Sequence, residues 1–247
     1  MKKVLAIIPA RFGSTRFPGK PLADMAGMPM IRRVYNQVKK CEEISDVVVA
    51  TDHEGIFRTV LQFGGKAIMT SASCVSGTDR CAEALSLLDG DWDVLVNVQG
   101  DEPFIDPAQL SELLRCMERP GAAIATLVRG IHREEDLFNP NVVKAVMDEN
   151  GKALFFSRNP VPFVRGEEKS SWLSKARFFR HIGLYAFRPE ILHEIALLPP
   201  GKLELAESLE QLRWLEAGYR IEAGETLFDS PGIDTPEDLE NALKMLH

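Results

Sequence analysis

No apolar run in this chain approaches the roughly 20 residues that a bilayer-spanning helix needs, which argues against a helical membrane protein. The first apolar run stops at Pro9, so Met1-Lys2-Lys3-Val4 opens no cleavable signal pattern and a cytoplasmic protein is expected. Cysteine is scarce: Cys41, Cys74, Cys81 and Cys116 form no C-x-x-C pair and have no closely spaced histidines beside them. A zinc site is therefore not expected, and the thiols read as reduced and packed. An excess of basic charge is also missing. Lys and Arg number 29 against 36 Asp and Glu, a formal net charge of -7, which argues against broad nucleic-acid binding. There are no internal repeats, no low-complexity tract and no G-x-G-x-x-G, so a nicotinamide dehydrogenase of the dinucleotide-binding kind is disfavoured. What remains is a 247-residue chain, 45% apolar and 26% charged, long enough for a substantial core.

The most informative feature present is Pro9-Ala10-Arg11-Phe12-Gly13-Ser14-Thr15-Arg16-Phe17-Pro18-Gly19-Lys20-Pro21, directly after Val4-Leu5-Ala6-Ile7-Ile8. A buried strand runs into a glycine-bearing loop with three cations and two hydroxyls. Main-chain N–H groups and Arg and Lys side chains in such a loop can engage several phosphates together. It is not a Walker A loop, because five residues separate Gly13 from Gly19 and Pro21 stands where Ser or Thr is required. An exposed basic turn is the bland alternative, weakened by three cations within ten residues of an acidic protein.

Short β-rich runs alternate with helical patterns through the first half. Strands are expected at Val4–Ile8, Asp46–Thr51, Lys66–Met69, Trp92–Val98 and Ala122–Val128, and helices near Met30–Lys40, Glu54–Phe63, Asp79–Leu88 and Pro107–Glu118. This pattern implies an α/β fold with a mostly parallel sheet covered by helices, whose ligands sit beyond the carboxyl ends of the strands. The loop from Arg11 to Lys20 then shares a rim with segments 76–80 and 99–103. The second half reads as a hairpin, Val142–Met147 and Leu154–Ser157 around Asp148-Glu149-Asn150-Gly151. A polar loop from Gly166 to Ser171 follows, then a strand over Phe178–Phe187, helices over Pro189–Leu197 and Leu203–Glu216, and a last helix capped by Thr235 with Pro236 in its first turn. One domain with an inserted or appended sub-structure fits these signals.

Asp101 lies just past the apolar strand ending in Asn97-Val98-Gln99-Gly100, on the rim of the phosphate loop. A carboxylate there suits a Mg²⁺ that bridges nucleotide phosphates; the plain alternative is a turn-former after glycine. Asp234, just before the last helix, suits the same ion or merely a helix start. Ser76-Gly77-Thr78-Asp79-Arg80 precedes a helix, with Thr78 the expected N-cap. His181, Gly183 and Tyr185 share a strand face by alternation, Arg158 offers a cation for a substrate carboxylate, and Glu207 and Gln211 stand four apart on one expected helix.

Together these segments resemble the 3-deoxy-manno-octulosonate (Kdo) cytidylyltransferases, the CMP-Kdo synthetases of Gram-negative bacteria. The resemblance runs from Pro9 to Leu239 through PARFGSTRFPGKPL at 9–22, ATD at 50–52, SGTDR at 76–80, VNVQGDEPFI at 96–105, FFSR at 155–158, RHIGLYAF at 180–187, LEQLRWLE at 209–216 and DTPEDL at 234–239. The first motif alone is similar to nucleotide-sugar pyrophosphorylases and CMP-sialate synthetases too; the conjunction is far more specific. The resemblance implies a Rossmann-like nucleotide-diphospho-sugar transferase fold with a smaller dimerisation sub-structure. A CTP-binding part would cover 1–130, and a sugar-binding and dimerisation part 131–247 of a homodimer. It implies that Ala10, Arg11, Ser14, Arg16, Lys20, Ser76, Gly77 and Asp101 bind CTP, and that Asp101 and Asp234 hold Mg²⁺. Arg80, Gln99, Arg158, His181, Tyr185, Glu207 and Gln211 would surround the sugar acid, with Arg11, Lys20, Asp101 and Asp234 carrying the chemistry. The implied reaction joins CTP and Kdo into CMP-Kdo and pyrophosphate, for lipopolysaccharide biosynthesis. Another sugar acid, such as sialic acid or an amino variant of Kdo, and a nucleotide-binding module without turnover stay open as alternatives.

Overall fold

The computed structural model describes residues 2–13 and 16–244. In chain order the elements are β1 (Val4–Ala10), α1 (Met30–Val38), β2 (Asp46–Thr51), α2 (Glu54–Gln62), β3 (Lys66–Met69), α3 (Gly77–Leu87), β4 (Val94–Asn97), α4 (Pro107–Cys116) and β5 (Ile124–Gly130). Then follow α5 (Glu134–Phe138), β6 (Lys144–Met147), β7 (Ala153–Ser157), α6 (Trp172–Lys175), β8 (Phe179–Phe187), α7 (Pro189–Ala196), α8 (Lys202–Glu207), α9 (Gln211–Glu216), β9 (Ile221–Glu225) and α10 (Pro236–Lys244). The chain forms two compact units. The first holds the chain up to Ser111, Arg188–Ala196 and the stretch from Asp229 on; the second holds Glu112–Phe187 and Leu197–Phe228.

In the first unit β3, β2, β1 and β4 pair in that order, all parallel. β1 is apolar nearly throughout and buried at Val4, Leu5, Ala6, Ile7, Ile8 and Ala10, as a central parallel strand covered on both faces must be. Helix α1 turns Met30, Ile31, Val34, Tyr35 and Val38 inward, which is the spacing of one helical face. Because the strands run parallel, the carboxyl ends of β1 and β4 open on the same rim. Ile233, 1% exposed, packs with Met25, Met30 and Ala242 and anchors the returning chain. Its N–H donates to the Asp101 carbonyl at 2.9 Å, so the segment leading to α10 is tied to the loop after β4.

In the second unit β5 runs antiparallel to β8 and parallel to β9, while β6 pairs antiparallel with β7 and β8. The hairpin expected around residues 148–151 is present between β6 and β7. Two features depart from the sequence pattern. Strand β9 was hidden in Ile221-Glu222-Ala223-Gly224-Glu225, whose acids and glycine give no β signal; its Glu222 is buried and paired with Arg119 at 3.1 Å. The expected helix over Leu203–Glu216 is broken into α8 and α9. Ser208, left-handed at φ 51°, breaks it. Arg158 Nε takes the Glu207 carbonyl at 2.6 Å and another Arg158 nitrogen takes the Ser208 carbonyl at 3.3 Å, two acceptors that a continuous helix would have used itself. Among the described residues no helix is long and apolar enough to cross a membrane. All four cysteines are free thiols.

Candidate active site

The basic loop leaves the end of β1 with Ala10 buried and Arg11 exposed. It folds back so that the Gly19 N–H donates to the Phe12 carbonyl at 2.9 Å. The Phe12 ring would stand 3.1 Å from a side chain at Gly19, whose φ is +72°, so both space and backbone demand glycine there. The Phe12 ring also stacks on His53, with ring centroids 4.1 Å apart. Gly19 leads into a short 3-10 turn over Lys20–Leu22 that buries the Lys20 stem and aims its ammonium inward. Ser14 lies outside the described residues.

Lys20 Nζ stands 2.6 Å from Asp101 Oδ2 and 3.2 Å from Asp234 Oδ1, joining residues 81 and 214 positions away. Arg16 reaches the other oxygen of Asp234 at 3.2 Å. Asp101 can take this place because Gly100 passes within contact of the Pro9 carbonyl, where a Cβ would sit at 2.9 Å. Asp234 precedes a closed cap: Asp238 accepts from the Asp234 and Thr235 N–H groups and from the Thr235 hydroxyl. Burial pushes the Asp238 carboxyl up, but the Thr235 hydroxyl, those N–H groups and Arg16 more than offset it, leaving it below its usual range. With Asp238 serving the helix start, the Asp234 carboxylate is left to face Lys20 and Arg16.

The N-cap of α3 is Ser76, not Thr78 as expected. Ser76 Oγ accepts from the Asp79 N–H and the Asp79 carboxylate accepts from the Ser76 N–H, both at 3.1 Å, while Thr78 is buried in the first turn. The serine-to-acid spacing of three is the capping-box signal that the sequence already carried. Arg80, 3% exposed, donates to Asp52 at 2.8 Å and to the Thr70 hydroxyl at 2.6 Å. Asp52, part of the ATD motif at 50–52 but not among the expected site residues, directly follows β2 as Asp101 follows β4, and the rule that ligands gather beyond parallel strand ends would have flagged it.

These groups line a cavity of about 320 Å³. Ala10, Arg11, Arg16 and Lys20 come from the end of β1 and the basic loop, Ser76, Gly77 and Arg80 come from the start of α3, and Gln99, Asp101 and Asp234 complete it. Cys74 also lines it, but burial and its bond to Glu83 push the thiol up to about 11, which keeps it protonated and a poor nucleophile. Asp101 and Asp234 direct oxygens at one point, now held by the Lys20 ammonium, and among the described residues no group of three or more metal-ligating acids, histidines or cysteines exists. Two convergent carboxylates suit Mg²⁺, which takes few protein oxygens and fills its shell from phosphate and water.

The other expected residues lie in the second unit. His181 Nε2 is 3.0 Å from Thr126 Oγ1, which has the Ile182 and Leu184 carbonyls at 3.1 and 2.9 Å. The threonine proton goes to a carbonyl, so His181 Nε2–H is the donor and Nδ1 carries the lone pair. Burial pushes this imidazole down to about 3, so it is neutral at physiological pH and serves as a hydrogen-bonding ring rather than an acid. Gly183 and Leu184 have no opposite residue on β5, because the register jumps from Thr126↔Tyr185 to Leu127↔Ile182. The simple alternation is thus interrupted, yet the His181 and Tyr185 rings still meet at 5.3 Å, with Trp214 edge-on to Tyr185 at 5.0 Å. Burial raises the Tyr185 hydroxyl well above its ordinary value, and Glu210 adds to this. Gln211 Nε2 and Trp214 Nε1, on the same short helix, are buried without a hydrogen-bond partner. Arg158 and Glu207, expected beside the sugar acid, use their polar atoms on the chain itself. Arg158 nitrogens donate to the carbonyls of Pro140, Glu207 and Ser208, and the Glu207 carboxylate accepts from Ser157 Oγ and the Arg158 N–H.

An electropositive loop, two convergent aspartates and a capped helix start meet around one cavity. A family model described as Cytidylyltransferase matches residues 5–221. The 3-deoxy-manno-octulosonate cytidylyltransferase of Parabacteroides distasonis is 52% identical over 250 residues, covering 100% of this chain and 99% of its own length. That of Cytophaga hutchinsonii is 52% identical, covering 96% of this chain and 94% of its own length. The solved structure of a CMP:2-keto-3-deoxy-manno-octonic acid synthetase complexed with CTP superposes with a TM-score of 0.92 at 41% identity, covering 99% of this chain and 98% of its own. The chain belongs to the 3-deoxy-manno-octulosonate cytidylyltransferase family, and its fold is the nucleotidyltransferase fold.

Proposed function

We propose that this protein couples CTP to Kdo, releasing pyrophosphate and giving CMP-Kdo for lipopolysaccharide synthesis. The observation that carries this reading is the conjunction of full-length family membership with the cavity that gathers Arg11, Arg16, Lys20, Asp101 and Asp234. The anomeric 2-hydroxyl of Kdo attacks the α-phosphorus in line and gives up its proton to water, a new P–O bond forms, and the bond from the α-phosphorus to the bridging oxygen breaks, releasing pyrophosphate. Arg11, Arg16 and Lys20 hold the triphosphate and neutralise charge on the departing pyrophosphate. Ser76 and Gly77 border the base through main-chain groups, since the Ser76 hydroxyl is engaged in its cap. Asp101 and Asp234 would hold a Mg²⁺, which would supply Lewis-acid polarisation of the α-phosphate. Arg80, fixed by Asp52 and Thr70, and Gln99 present donors to the sugar acid. In the second unit the neutral imidazole of His181 and the Gln211 amide nitrogen, which has no partner, are suited to hydrogen bonding. Arg158 and Glu207 act by holding the Ser208 bend that starts α9. The protein works in the cytoplasm, where a nucleoside triphosphate is at hand. We read it as a homodimer, as the family resemblance implies.

Pyrophosphate release from purified protein with Mg²⁺ tests the reading. CTP plus Kdo is expected to turn over, whereas UTP plus glucose 1-phosphate is not. Faster turnover of sialic acid than of Kdo would reassign the acceptor, and no turnover of any sugar acid would reduce the protein to a nucleotide-binding module. Light scattering of the eluted protein checks the dimer.

A further inference from the structure

Four charged groups, Lys20, Arg16, Asp101 and Asp234, form a closed set of two cations and two anions. The ammonium of Lys20 lies between the carboxylates, 2.6 Å from one and 3.2 Å from the other, and its side chain is only 11% exposed. The bracing around it is firm. The stem rises from a 3-10 turn held by the Phe12–Gly19 hydrogen bond, and the Asp101 main chain is tied to Ile233. A divalent cation cannot take the point between the two aspartates while the ammonium stands against one oxygen of each. The same ammonium has a second anionic destination, because Lys20, Arg11 and Arg16 all line the cavity in which a triphosphate would lie.

We infer that Lys20 is the built-in counter-cation of the metal site, which holds the two aspartates shut against metal until a triphosphate draws the ammonium away. The inference rests on the two-aspartate metal reading above. Metal and nucleotide then bind with positive coupling that runs through one side chain, and by linkage each raises the affinity of the other by the same factor. In the nucleotide-free protein the aspartates are electrically satisfied, and metal gains little by entering. Once phosphate oxygens take Lys20 and Arg16, two unpaired carboxylates face a polyanion and metal entry becomes strongly favourable. The lysine thereby orders the site: nucleotide first or together with metal, and not metal alone.

The test uses Mn²⁺ as the probe, followed by the electron paramagnetic resonance signal of the free ion, with full-length protein and no nucleotide. Lys20→Met is expected to bind Mn²⁺ about ten- to a hundred-fold more tightly than the unchanged protein, since an attractive unit charge close to each carboxylate has been removed. Adding Asp101→Asn to Lys20→Met is expected to abolish that gain. In a metal-free chelator buffer, Lys20→Met is expected to bind CTP at least about tenfold more weakly. Equal Mn²⁺ affinity in both proteins, with binding still dependent on Asp101, overturns the counter-cation inference and leaves the metal site standing. Mn²⁺ binding that ignores Asp101→Asn overturns the metal site itself. Circular dichroism checks folding, and Lys20→Gln, which keeps a polar head, replaces the methionine variant if the latter does not fold.

Discussion

The two units handle polarity in opposite ways. Around Lys20, Asp101, Asp234 and Arg16 the first unit keeps full charges, partly exposed, whose partners can be exchanged for those of a ligand. Around His181, Tyr185 and Trp214 the second unit keeps neutral rings, edge-packed and largely buried, with Arg158 and Glu207 consumed by the chain. A polyanion needs charges that can be redirected as its own charge shifts during reaction. A hydroxyl-rich ring needs fixed donors and acceptors of stable protonation. The difference is between electrostatic compensation and shape.

Removing charge from the first unit is the strongest way to sharpen this contrast. Lys20→Ala is expected to lower kcat about a hundred- to a thousand-fold, because a donor to developing charge is lost from a preorganised site. Retention of more than half of the rate at saturating CTP and Mg²⁺ would make Lys20 a loop cation only. Asp52→Asn comes next. Arg80, 3% exposed, would lose its carboxylate partner, and a loss of roughly 2 kcal/mol of stability is expected after allowance for the partial exposure of Asp52. KM for Kdo is expected to rise more than KM for CTP, and equal rises would place Arg80 with the nucleotide.

In the second unit the effects are smaller and of another kind. Arg158→Lys is expected to raise KM for Kdo about tenfold with kcat nearly kept, since an ammonium cannot hold the Pro140, Glu207 and Ser208 carbonyls together and the start of α9 shifts. An unchanged KM for Kdo would sever that bend from the sugar. His181 should leave a mark in acid. Its folded value near 3 lies below the unfolded 6.5, so between those values the unfolded chain binds the extra proton. The contribution of His181 to stability is whole above about 6.5 and shrinks as pH falls toward 3. Thermal unfolding of His181→Gln is expected to be less acid-sensitive across that window, and identical pH slopes would show the ring to be solvated. The smallest change is Ser208→Gly, which relieves a positive φ of 51° and is expected to alter stability by less than about 1 kcal/mol without touching kcat.

Local pattern was enough for the parallel α/β core and most element boundaries, because β1, β2 and β4 are short apolar runs and α1 and α2 each bury one apolar face. It also determined which residue types gather at the rim, since parallel strands put the loops after β1 and β4 on the same side. Tertiary structure alone decided the pairings. That Lys20 meets Asp234 across 214 positions follows from the Ile233 N–H on the Asp101 carbonyl and from the packing of α10, neither of which local pattern encodes. That Asp52 holds Arg80, and that Arg158 breaks a helix which propensity alone would continue, are likewise long-range hydrogen bonds. Local sequence sets what each segment can be. A buried donor or carboxylate is matched to its partner by the desolvation that leaving it unmatched would cost, and that match exists only in the folded chain.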